Sequence, residues 1–323
     1  MTITQRPLGD TGIRIAPLVL GTNVLGWTVD ERRGFAILDA FVDAGFDAID
    51  TADSYSHWVP GNTGGESETI IGRWLARDPS KRARVHLFTK VGSTMPGNGM
   101  KKTLAKRWIL QAAEDSLRRL GVETIDLHQS HWPDPATPHE ETLAAYAELL
   151  RAGKVRAIGC SNFDAAQLAE ALRVADEQGL PRYQTLQPPY NLYDRAGYEG
   201  ALRDLAMREG LGVITYYGLA SGFLTGKYRS RDDLAKSARG GGVAKYLDDR
   251  GMRILAALDE VAARHEAEPA QVALAWLMQR EGVTAPIASA TSVEQVRSLV
   301  RATELRLSAE DVSILDEASA PAT

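Results

Sequence analysis

Residues 85–130 read VHLFTKVGSTMPGNGMKKTLAKRWILQAAEDSLRRLGVETIDLHQS, and their periodicity decides the fold. An apolar run at Val85–Lys90 has strand character. The stretch Leu104–Leu120 then places Leu104, Trp108, Ala112 and Leu117 near one face of a helix and stops at Gly121, a C-cap residue. A second apolar run follows at Ile125–Ser130. A strand, a crossover helix and a strand make a parallel pair, because the helix returns the chain in the same direction.

The same unit recurs on both sides. Strand-like runs stand at Leu18–Gly21, Phe46–Asp50, Val155–Cys160, Tyr183–Gln187, Gly212–Tyr216 and Thr284–Ala288, making eight with the two above. Amphipathic stretches lie between them at Glu31–Ala44, Ser67–Ala76, Thr142–Arg151, Ala165–Glu177 and Ala201–Arg208. Eight units predict an α/β fold of the (β/α)8 TIM-barrel type rather than an open doubly wound sheet. No G-x-G-x-x-G follows any strand, and the Gly240–Gly242 triplet sits in a polar stretch.

Three features stand outside the repeat. RPLGDTGIRI, residues 6–15, predicts an N-terminal β-hairpin turning at Asp10–Thr11–Gly12. Ser221–Arg250, after strand seven, has little periodicity and reads as a functional loop at the barrel mouth. LSAEDVSILDEAS reads as an added C-terminal helix capped by Ser308. With no low-complexity linker, residues 1–323 are expected to form one domain.

With 37 Lys+Arg against 42 Asp+Glu the net charge is −5, which disfavours nucleic acid or an anionic membrane as the main partner. No apolar run approaches the roughly 18 residues of a membrane span, and MTITQRPLGD lacks a signal-like apolar region. The single cysteine, Cys160, reads as a small buried thiol in a reduced chain, so a cytoplasmic setting is expected.

In such a barrel chemistry sits where strands end. Strand two ends at Asp50, with Tyr55 close behind in TADSY; strand three ends at Lys90; strand four runs into His131. A phenol is a weak acid until an ammonium favours its phenolate, and a carboxylate can keep that ammonium charged. An imidazole adds a second donor. The set suits proton transfer to a carbonyl oxygen.

At these residues the chain resembles the aldo-keto reductase superfamily. The resemblance runs through GFDAIDTADSY, GGESETIIG, FTKVG, DLHQSHWPD, LRAGKVRAIGCSN, QPPYNLYDR, LASGFLTGKY and ATSVEQV. It implies a barrel that binds NADP(H), or less often NAD(H), and reduces an aldehyde or ketone or oxidises the alcohol. Asp50, Tyr55, Lys90 and His131 would be catalytic, with Tyr55 as general acid. It further implies that Ser161, Asn162 and Gln187 bind the nicotinamide carboxamide and that Tyr216 stacks on the ring. Leu219 to Lys227, with Ser221 and Gly222 among them, would follow the pyrophosphate.

Departures from the family pattern bear on the cofactor. Tyr217 and Gly218 stand where Ser-Pro is common. Near the adenosine, Ser289, Thr291 and Gln295 offer neutral donors, and Ser298–Leu299 replaces a Glu-Asn pair. Arg297 and Arg301, together with the helix start after Thr291, are the sources of positive charge that would hold a 2′-phosphate. The expectation is a modest preference for NADPH, about tenfold.

His128 and His131 form an H-x-x-H whose side chains, three apart on a strand, face opposite ways, so no metal site is expected. Of six tryptophans, Trp74, Trp108 and Trp276 fall in helical patterns and are expected to pack on the barrel. Trp27, Trp58 and Trp132 follow strands one, two and four and predict an apolar, aromatic substrate pocket. The expected partner is a small carbonyl or alcohol substrate, met by a monomer or weak homo-oligomer. The rival reading is a weakly active or non-enzymatic cofactor-binding regulator on the same fold. A metal-dependent barrel hydrolase would need a ligand cluster that the sequence does not offer.

Overall fold

The alternation of side chains along eight short strands builds the centre of the molecule. The computed structural model describes residues 3–320. After a hairpin of β1 (Arg6–Pro7) and β2 (Arg14–Ile15) come barrel strands β3 (Val19–Gly21), β4 (Ala48–Asp50), β5 (His86–Val91) and β6 (Ile125–Ser130). The barrel continues with β7 (Val155–Ser161), β8 (Thr185–Gln187), β9 (Gly212–Thr215) and β10 (Ala285–Ala288). All eight pair in parallel, in chain order, and β10 closes on β3. The predicted TIM barrel is therefore the observed fold, with strand ends moved by a residue or two.

Period two sets what each strand points inward. Val19, Ala48, Phe88, Leu127, Ala157, Ile214 and Ala285 form an apolar layer inside the barrel. Leu8, Ile13 and Ile15 of the hairpin join that layer from below and plug the N-terminal end. Two residues further along the same strands, Ala48 gives way to Asp50, Phe88 to Lys90 and Leu127 to Gln129. An apolar floor thus carries a polar layer at the C-terminal end. The plug fits closely: a Cβ at Gly9, whose φ is +57°, would lie 2.4 Å from the Gln184 carbonyl oxygen and 2.6 Å from the Gly212 nitrogen.

Helices α1 (Glu31–Asp43), α2 (Glu66–Arg77), α3 (Lys106–Leu120), α4 (His139–Arg151), α5 (Ala165–Gln178) and α6 (Ala201–Arg208) follow β3 to β8. Asp30 caps α1 and Asp164 forms a capping box with Gln167 on α5, contacts worth about 1 kcal/mol each. Leu104 lies before the first turn of α3, so its place on the helical face is taken by Ile109 and Ala112. Trp74 and Trp276 are fully buried as expected, while Trp108 is half-buried.

Between β9 and β10 the chain makes short 3₁₀ turns, then α7 (Asp249–Arg264) and α8 (Pro269–Met278). The predicted loop thus ends where α7 begins. α9 (Val293–Ala302) follows β10, and α10 (Ala309–Ser319), capped by Ser308 and Asp311, packs on α7. Among the described residues, no helix is long and apolar enough to cross a membrane.

Candidate active site

The polar layer converges on Lys90. Its ammonium, wholly buried, donates to Asp50 Oδ2 at 2.6 Å, to the Thr51 carbonyl oxygen at 2.7 Å and to the Tyr55 hydroxyl at 2.9 Å. The chain past β4 supports this geometry. Thr51 N and Asp53 N still donate to Phe88 O and Lys90 O of β5, and a turn closed by Tyr55 N on Ala52 O brings the phenol back over Asp50. Gln187 Nε2 donates to the other Asp50 oxygen at 2.9 Å. Asp50 is thereby held on both sides.

His131 stands just beyond β6, its N–H on Val91 O and its ring 6.0 Å from that of Tyr55 at 72°. Burial, reinforced by Lys90 and Lys102, drives its proton affinity far below the ordinary imidazole value, so the ring is neutral. Burial also pushes the Tyr55 phenol well above its usual range, with Asp50 adding to the effect. The phenol therefore stays protonated, with the Lys90 ammonium hydrogen-bonded to its oxygen. Burial lowers the Lys90 ammonium and Asp50 opposes that.

Trp27, Trp58 and Trp132 gather near Tyr55 and His131. Trp27 and Trp58 meet edge-to-face at 5.7 Å, Trp58 lies 6.4 Å from the Tyr55 ring, and Trp132 is parallel to His131 at 6.3 Å. His128 faces the other way, edge-on to Tyr146 at 5.7 Å.

From Asp50 and Tyr55 a cavity of about 740 Å³ runs between the loop after β9 and the ends of β3 and β10. Tyr216, Tyr217, Leu219, Ser221, Gly222, Lys227, Ser289, Thr291 and Gln295 all line it. Ser161, Asn162 and Gln187 are not among its lining residues. Ser161 Oγ donates to Gln187 O at 2.8 Å, and Asn162 bridges His131 O and the Tyr216 hydroxyl at 2.9 and 2.6 Å. Tyr217 and Ser221 take positive φ values of 59° in this loop, a conformation rare for residues with side chains.

At the far end Arg297 and Arg301 do not line the cavity; Arg301 is instead paired at 3.3 Å with Glu268, a carboxylate that does. The start of α9 is closed by its own side chains, with Ser292 Oγ taking Gln295 N and Gln295 Oε1 taking Thr291 N. The long loop supplies a cation instead. Arg239, folded in over Trp27 at 5.6 Å, donates to Asn23 Oδ1 at 3.0 Å, and Ser289 Oγ donates to that same oxygen at 2.9 Å. Arg239 and Ser289 are therefore neighbours. Sequence reasoning missed Asn23, though it stands two residues past a strand end, and Arg239, which no local pattern marks.

A cleft that starts at a buried Asp–Lys–Tyr chain and extends past hydroxyls and cations fits a dinucleotide in shape and donor chemistry. The family model for the Aldo/keto reductase family matches residues 17–320. The chain belongs to the aldo-keto reductase family. It is 33% identical over 325 residues to Protein tas of Escherichia coli K12, covering 94% of this chain and 93% of the relative. It is 33% identical over 317 residues to the aldo-keto reductase YhdN of Bacillus subtilis 168, covering 94% and 90%. The NADH-specific methylglyoxal reductase of E. coli K12 is 32% identical over 336 residues, covering 96% and 97%. Membership makes this aldo-keto reductase an oxidoreductase of carbonyl groups.

Proposed function

We propose that the protein reduces a small aldehyde or ketone, or oxidises the alcohol, using NADP(H), with Tyr55 as the general acid. The observation that carries this reading is the hydrogen-bond chain Asp50–Lys90–Tyr55, at 2.6 and 2.9 Å, buried at the inner end of the cleft. When bound, the dinucleotide supplies the hydride. The protein's own part is to hold the carbonyl and manage one proton. Tyr55, kept protonated by burial, gives its proton to the substrate oxygen as charge develops there. Lys90, already hydrogen-bonded to that hydroxyl, stabilises the phenolate left behind, and Asp50 keeps Lys90 charged. Neutral His131 donates an N–H to the same oxygen. Trp27, Trp58 and Trp132 form the apolar wall beside it.

Ser161, Asn162 and Gln187 would hold the carboxamide, and Tyr216 would lie along the ring. Lys227 and Ser221 would face the pyrophosphate. Arg239 is the group that would meet a 2′-phosphate beside Ser289, by charge-assisted contacts. Glu268 and Glu294 line the same cavity and limit the preference for a doubly charged group. The expected result is kcat/KM with NADPH about tenfold above NADH, falling to near parity in Arg239→Met, where about 1.4 kcal/mol is lost. A screen of aldehydes and ketones with both cofactors measures it. A wild-type preference for NADH, or one for NADPH that Arg239→Met leaves intact, contradicts this assignment.

A further inference from the structure

The loop between β5 and α3 presents a cation that the mechanism above does not use. Lys102 is exposed, yet its ammonium rests 3.7 Å over the centre of the Trp132 ring. That ring is parallel to His131, and the ammonium is close enough to depress the imidazole's proton affinity, after burial and Lys90. Lys102 is therefore separated from His131 by a single aromatic ring.

The loop is ordered on both sides of this lysine. Asn98 Oδ1 accepts from Met95 N and Lys101 N at 3.1 and 3.2 Å, and Asn98 Nδ2 donates to Ser93 O at 2.6 Å. On the other side Leu104 N donates to Asp134 Oδ2 at 2.9 Å, which ties the loop to the segment carrying Trp132. Asp134 is the neighbouring carboxylate, and its oxygens are taken up by Leu104 N, Ala136 N and the Thr137 hydroxyl. Lys106, one turn on, pairs with Glu148, whereas Lys102 has no ion-pair partner among the described residues. Holding an ammonium against an aromatic face without a counter-ion leaves its charge available to a ligand.

We propose that Lys102 is an anion-binding subsite of the substrate pocket, so that the preferred substrates are short aldehydes or ketones bearing a carboxylate. This rests on the carbonyl reduction proposed above and adds the substrate class. The carbonyl would lie at Tyr55 and His131, the short chain along Trp132, and the carboxylate at Lys102.

Two measurements test it. The first compares kcat/KM for succinate semialdehyde and its methyl ester in the full chain. The acid should be favoured about tenfold at low ionic strength, with the gap narrowing as salt is added. Lys102→Met should bring the ratio near one, Lys102→Arg should retain most of it, and Lys101→Met, at the adjacent exposed lysine, should leave it unchanged. No preference in the wild type, or a preference that survives Lys102→Met, overturns the subsite. The second titrates succinate itself by calorimetry. Its Kd should rise about tenfold in Lys102→Met, and equal binding by wild type and variant overturns the subsite whether or not any aldehyde is reduced. Succinate binding that depends on Lys102, in a protein that reduces no aldehyde or ketone, supports the subsite and overturns the carbonyl-reduction reading instead.

Discussion

Lys90 is subject to two opposed influences. Full burial strips its ammonium of water and favours the neutral amine, while Asp50 at 2.6 Å favours the charge. As an ammonium it can offset the phenolate that Tyr55 becomes when it has given up a proton. Lys90→Met removes this offset, so turnover should slow and the alkaline fall in reduction rate, which follows loss of the Tyr55 proton, should move to still higher pH. A pH–rate profile of kcat/KM checks the direction, and an unmoved alkaline limb would take Lys90 out of the proton step. Asp50, Tyr55, Lys90 and His131 were legible in the sequence because each stands at or shortly after a strand end and strand ends are fixed by period-two patterning. Arg239 was not. Its contact with Asn23 spans 216 residues and arises from a loop without periodicity. Charge at Arg297 and Arg301 was legible, but which way the face of α9 turns depends on packing that the chain pattern does not encode.

At the scale of one element, β6 shows how alternation divides labour. Gln129 points inward toward Asp50, while His128 and Ser130 point outward, the first onto Tyr146 and the second onto the hydroxyls of Tyr146 and Tyr183. Neither His128 nitrogen has a hydrogen-bond partner among the described residues, and burial lowers its pKa from 6.5 to about 4. The sign of the effect on stability follows. As pH falls below 6.5 the unfolded chain binds a proton that the folded chain refuses until about 4, so stability drops across that window and levels off below it. From pH 7 to pH 5 His128 alone should account for roughly 2 kcal/mol of that loss. Urea unfolding of His128→Leu at both pH values should recover about this much of the difference, and an undiminished loss would contradict it. α8 illustrates the opposite case. From Gln271 to Met278 every residue is buried, so it carries no amphipathic stripe, and only the pattern around Trp276 marked it in the sequence.

For the whole molecule, the barrel separates stability from chemistry. The hairpin plug and apolar layer sit at one end, and the polar layer with its loops sits at the other. Eight strands, the six amphipathic helices between the earlier ones and the hairpin were legible from periodicity and turn residues. That the hairpin seals the barrel was not, because contact between Leu8, Ile13 and strands far along the chain is a tertiary fact. Ile13→Ala should lower unfolding free energy by about 2–4 kcal/mol through the cavity it leaves, with kcat/KM unchanged. Denaturant unfolding alongside a standard assay checks both, and a fall in kcat/KM with little loss of stability would contradict the separation. The central claim, that a buried phenol held by Lys90 protonates the substrate oxygen, is tested most directly by Tyr55→Phe. Single-turnover reduction of an aldehyde should slow by a factor on the order of 10²–10⁴ while NADPH binding, followed by quenching of tryptophan emission, stays close to wild type. Turnover near the wild-type rate would contradict the account.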